Sequence, residues 1–156
     1  MTSSAVQYWL MKSEPDTYSI DDLARDRVTA WTGVRNYQAR NFMRDQMRVG
    51  DWVFFYHSNS TPPGIAGLAR VSSAPYADPT QFEKGGDYAE PRATREKPIW
   101  VLVDIAFERK FEKLISLDTL RADAALKEML VLKKGQRLSV QPVEGVHARH
   151  LLARVG

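Results

Sequence analysis

Trp31 is followed by Thr32-Gly33 and then, within six residues, by Arg35, Asn36 and Tyr37. An aromatic face beside hydrogen-bonding side chains is what a stacked base, read along its edge, requires. The same ring could instead plug the end of a small barrel, and the residues alone leave both readings open. Arg40, Arg44 and Arg48 recur every four residues. On a helix they form one stripe, and each offers a planar donor fork to phosphate. The plainer reading is a solvated helix face. His57 ends an apolar run and opens into Ser58-Asn59-Ser60, a polar stretch at a strand end where ligands are often held. His57 could equally be a structural hydrogen-bonding residue. Lys12-Ser13-Glu14 closes the first apolar run in the same way, as a polar rim or as a turn. Arg137 and Ser139 flank Leu138 and would share one face of a strand. If that face looks inward they line a cavity, because a buried arginine demands a partner.

Other chemistry is poorly served. The chain holds no P-loop, dinucleotide fingerprint, nucleophile elbow or HExxH motif. His147 and His150 stand three apart with no third ligand suggested, so no metal and no cofactor is expected. The enzymatic alternative is a hydrolase or nuclease using Glu14, His57 and a nearby Asp, as a general base with a carboxylate orienter. A small-ligand or protein-interaction module is a further alternative. With no cysteine in 156 residues, disulfide scaffolds, thiol nucleophiles and cysteine-containing metal sites are excluded. Apolar runs are far shorter than the roughly 18 residues of a membrane helix. The first residues lack the basic and apolar regions of a secretory signal, so a cytoplasmic monomer is the expectation. The net charge of +3 is mild and by itself weak evidence for nucleic acid. Its distribution is uneven: residues 31–50 carry Arg35, Arg40, Arg44 and Arg48 against Asp45 alone, and basic residues also outnumber acidic ones across 111–156.

The elements that must position these groups follow from pattern and punctuation. Strands are predicted over Val6–Met11, Val28–Trp31, Trp52–His57, Ile65–Val71, Ile99–Phe107 and Arg137–Gln141. Alternation is clearest in Ile99, Val101, Val103, Ile105 and Phe107. Ser19 with Asp22 resembles a capping box for a helix over Ile20–Arg25. Asn36 reads as the N-cap of a helix over Tyr37–Met47. Short helices are predicted near Leu117–Leu120 and Ala124–Leu130, and a closing one over Val146–Arg154. Residues 73–98, rich in proline and glycine, read as a long excursion within one domain. Adjacent strands across 52–71 leave no room for a crossover helix. The fold class is therefore α+β: a small, strongly bent sheet or barrel of about five to six strands surrounded by short helices.

These segments also carry a family likeness. Trp9-Leu10-Met11-Lys12-Ser13-Glu14-Pro15, Trp31 through Asn41, Val49-Gly50-Asp51, Phe55-Tyr56-His57-Ser58-Asn59, Pro63-Gly64-Ile65-Ala66-Gly67, Asp78-Pro79-Thr80-Gln81-Phe82 and Arg137 through Pro142 occur in order. Together the sequence resembles the EVE domain family, a branch of the PUA-like superfamily, over nearly the whole of residues 1–156. The resemblance implies a PUA-like barrel and a non-catalytic pocket for one modified nucleobase in DNA or RNA. Trp31 matches one wall of the aromatic cage in the similar YTH domains; Tyr76, Phe82 and Tyr88 are candidates for another. The implied pocket comprises Lys12, Ser13, Glu14, Trp31, Val34, Arg35, Asn36, Tyr37, His57, Ser58, Asn59, Arg137 and Ser139. Arg40, Arg44 and Arg48 would extend the contact to phosphates.

Overall fold

The computed structural model describes residues 6–155. Its elements in chain order are β1 (Tyr8–Ser13), α1 (Ile20–Asp26), β2 (Val28–Ala30), α2 (Tyr37–Asn41), β3 (Trp52–His57), β4 (Gly64–Val71), β5 (Tyr76–Ala77), β6 (Val101–Leu102), β7 (Asp104–Ser116), α3 (Leu117–Ala122), β8 (Val140–Val143) and α4 (Gly145–Val155). Six strands form one mixed sheet in the order β2-β7-β4-β3-β1-β8, and β5 and β6 form a separate ribbon. The sheet curls into a half-barrel. β3 and β4 are antiparallel neighbours, as their sequence adjacency predicts, while β1 lies parallel to β3. Register breaks between Phe55 and Tyr56, and again along β4 and β7, supply the bend. A Cβ on Gly67 would stand 2.3 Å from the Arg109 carbonyl oxygen, so only glycine lets β7 approach there.

Strand alternation sends two sets of side chains to opposite faces of the sheet. Trp9, Met11, Val53, Phe55 and Ala69 join one core with Leu23, Trp31 and Met43. Leu10, Phe54, Tyr56 and Leu68 join the other with Phe111, Leu120 and Leu151. Full burial of each large apolar side chain contributes about 2–3 kcal/mol. The capping box at Ser19 and Asp22 forms as predicted, with both reciprocal bonds.

Four predicted elements differ. The helix over Tyr37–Met47 stops at Asn41; Phe42–Gln46 is a π turn, closed by Met47 N–H donating to Phe42 O at 2.9 Å. The strand over Ile99–Phe107 divides at Val103, and its second part runs on to Ser116 as β7. The middle of β7, around Glu108-Arg109-Lys110, is exposed, which erases the alternation that would have announced it. The strand over Arg137–Gln141 moves to Val140–Val143 and includes Pro142. Proline is tolerated because β8 is an edge strand bonded only to β1. The helix predicted over Ala124–Leu130 is instead two 3-10 turns, Ala124–Leu126 and Leu130–Leu132.

Candidate functional site

The end of β1, the strand β2 with the loop after it, Tyr88 and the Arg137–Ser139 segment enclose a cavity of about 510 Å³. That is within the range of small-molecule pockets. Trp31 lines it, although the residue is only 8% exposed. Its ring stands edge-on to Phe55 at 5.6 Å, and its backbone N–H donates to Val103 O. The indole therefore packs on the core and also borders an open space. The indole N–H groups of Trp9 and Trp100 donate to Asp51 and Glu90. Those of Trp31 and Trp52 have no protein acceptor among the described residues.

Of the predicted pocket residues, Lys12, Ser13, Glu14, Trp31, Val34, Arg35, Ser58, Arg137 and Ser139 line this cavity. Lys12 N–H donates to Ser139 O at 2.8 Å, stitching the Arg137–Ser139 segment to the end of β1. Burial pushes the Lys12 ammonium below its ordinary pKa. Ser13 Oγ donates to Tyr18 O at 2.6 Å, and Ser58 N–H donates to Ser13 O.

Four predicted pocket residues lie elsewhere. Asn36 is spent as the N-cap of α2, accepting from Ala39 N–H at 3.0 Å. Tyr37 packs on Trp100, with ring centroids 4.8 Å apart. His57 Nε2 accepts the Ile20 N–H at 3.1 Å, which occupies the lone pair a general base would need. Burial holds His57 below its ordinary pKa, outweighing the opposing pull of Asp21. Asn59, with φ of 50°, is a turn residue. The arginine stripe does not persist either, because the π turn rotates its members apart. Arg40 donates to Ile99 O and Asn41 Oδ1 and stacks on Tyr37. Arg44 is paired with Asp45, and Arg48 donates to the Asp45 and Met47 carbonyls. None of the three borders the cavity.

Arg35 has a larger part than its sequence position suggested. Its Nη1 lies 3.1 Å from Asp78 Oδ2, and its Nε and Nη2 donate to Tyr88 O at 3.2 and 2.8 Å. Asp78 is fully buried. Burial alone would raise its pKa, but donors on Thr80, Gly33 and Arg35 hold the carboxyl below the usual range. Tyr88 lies over Gly33, which has φ of 86°; a Cβ there would stand 2.8 Å from the Tyr88 ring. Arg35 thus clasps the long excursion so that Tyr88 borders the cavity. Tyr76 instead donates to Asp104 and Phe82 lies under Arg95. Gln81, also buried, bonds Asp78 O, Trp100 O, Ile99 N and Trp100 N, pinning the two ends of the excursion together. Thr17, Tyr18, Thr29, Ala30 and Thr32 line the cavity as well. The sequence offered no sign of these five. Among the described residues no three His, Asp or Glu side chains gather as a metal site.

A curled α+β sheet with short helices packed against it is a PUA-like architecture, and its cavity joins an aromatic wall to a cationic, hydrogen-bonding rim. The chain belongs to the EVE domain family, whose model matches residues 7–154. Human thymocyte nuclear protein 1 is 41% identical over 155 residues, covering 87% of this chain and 68% of that protein. A crystal structure of a Pseudomonas putida protein matches with a TM-score of 0.90 and 48% identity, covering 94% of this chain and 97% of that one. Human THYN1 in complex with 5-methylcytosine-containing DNA matches with a TM-score of 0.88 and 40% identity, covering 95% of this chain and 96% of that one.

Proposed function

We propose that this protein is a non-catalytic reader of a modified nucleobase in DNA, taking one unpaired or flipped base into the cavity beside Trp31. The observation that carries this reading is the Trp31 indole, anchored on the core yet bordering a space of about 510 Å³. The family relative crystallised with 5-methylcytosine-containing DNA supports DNA with a modified base as the ligand. Trp31 supplies the stacking face, and its N–H with Ser13, Ser139 and Glu14 supplies groups for the base edge. Glu14 can accept from an exocyclic amine, as acidic side chains do from cytosine.

Magnitudes divide the work. Stacking one base contributes about 1–3 kcal/mol, and burying one methyl about 0.8 kcal/mol. The methyl alone therefore yields only about a fourfold preference. Flipping costs a few kcal/mol, so phosphate contacts must furnish much of the affinity.

Fluorescence anisotropy with matched duplexes, one carrying a single 5-methylcytosine, tests the reading. The wild type should prefer the methylated duplex, and Trp31→Ala should erase the preference. Because Trp31 is largely buried, Trp31→Phe is the companion variant: it should fold normally and keep part of the preference. Undiminished discrimination by Trp31→Ala would place the base elsewhere.

A further inference from the structure

Arg40, Arg44 and Arg48 are committed to protein contacts, so the charge of a strand delivering a base to the cavity must be met elsewhere. Residues 133–137 read Lys-Lys-Gly-Gln-Arg, with no carboxylate among them. They form a tight turn: Gln136 N–H donates to Lys133 O, Gly135 has φ of 77°, and Gln136 Oε1 accepts from Leu138 N–H. Lys134 and Arg137 are exposed, and Arg137 also lines the cavity. The Lys12–Ser139 bond brings the end of this segment against Lys12. Lys133 is paired with Glu128 at 2.6 Å. Among the described residues, Lys12, Lys134 and Arg137 have no carboxylate partner. Beyond Ser13 the charge reverses, because Glu14 and Asp16 are both exposed and acidic.

We infer that the Lys133–Arg137 turn, with Lys12, is the docking surface for the phosphodiester backbone of the strand whose base enters the cavity. The strand passes Arg137 and avoids the Glu14–Asp16 side. Arg137 offers a fork that matches phosphate geometry, and Lys134 acts as a point charge. The inference rests on the base-reading assignment, because it sets the backbone at the mouth of that cavity.

The experiment measures binding of a fluorescein-labelled duplex with one central 5-methylcytosine, and of its unmodified twin, from about 50 to 200 mM salt. Lys134→Ala and Arg137→Ala should each weaken both duplexes and lower the magnitude of the log–log salt slope by about 0.9. Lys134→Glu should weaken both further. Lys134→Ala should leave the ratio between the two duplexes unchanged, and Arg44→Ala should leave the slope unchanged. Wild-type slopes in the Lys134 variants, or an equal loss in Arg44→Ala, would overturn the inference. If the wild type binds with a salt slope that the turn variants reduce, yet never discriminates the two duplexes, the base-reading assignment fails and the docking surface stands. Absence of salt-dependent binding by the wild type would overturn both.

Discussion

At the residue scale, Trp31 and His57 show how one kind of sequence signal can lead to opposite outcomes. Both sit where an extended segment gives way to a polar loop. Trp31 keeps an edge on Phe55 and a surface on the cavity. His57 turns back to accept the Ile20 N–H, one of the donors that the start of a helix leaves without an intrahelical partner. A protonated imidazole cannot accept that bond. With its folded pKa below the unfolded value of about 6.5, His57 contributes stability that is fully present above about pH 6.5. This contribution is lost as pH falls through the folded pKa. The expected result is a urea midpoint that drops between about pH 7 and pH 5 and drops less in His57→Gln, whose amide oxygen can still accept. The other two histidines are common to both proteins, so the difference isolates His57. Equal pH profiles would show that this bond contributes nothing. Trp31 stood out in the sequence as a candidate, because it lies outside a clear amphipathic element and beside polar residues, with a barrel plug as the open alternative. The commitment of His57 was not legible, since its partner is 37 residues away.

At the element scale, the segment between Asp78 and Trp100 builds part of the site with only one short 3-10 turn, Pro79–Phe82. Its sequence suggests looseness, yet Gln81 fastens its ends and Arg35 fastens Tyr88. The fold class, the capping box of α1 and the β3–β4 pairing were all legible, because each rests on local spacing. The π turn after α2 and the clasp on Asp78 were not. The turn reflects packing of Phe42 and Met43 against the sheet core, and the clasp joins groups 43 residues apart. Gly33→Ala tests the clasp. Its φ of 86° costs an alanine about 1–2 kcal/mol, and the new methyl must push the Tyr88 ring aside. The expected outcome is a lowered melting temperature together with reduced preference for the methylated duplex. Tyr88→Ala should reduce that preference too, and the double variant should be no worse than Tyr88→Ala. A destabilised Gly33→Ala with full discrimination would show that Tyr88 is not a wall.

At the scale of the whole molecule, a net charge of +3 understates the polarity of the surface. All four arginines of residues 31–50 are held by protein groups, Arg35 by Asp78 and Tyr88 O, Arg40 by Ile99 O and the other two within their own segment. At the cavity, Lys12 from β1 and Arg137 from the turn before β8 have no carboxylate partner among the described residues. The curled sheet makes this possible: β1 and the residues leading into β8 are sequence-distant but adjacent in the ladder, so the sheet brings Lys12, Trp31 and Arg137 around one space. The most direct measurement of the central claim is a ¹⁵N–¹H spectrum of the tryptophan indoles during titration with the methylated duplex. The Trp31 Nε1–H resonance should move strongly, from the ring current of a stacked base and a new acceptor. Those of Trp9 and Trp100, held by Asp51 and Glu90, should stay nearly fixed. A duplex that binds while the Trp31 resonance remains in place would contradict the account.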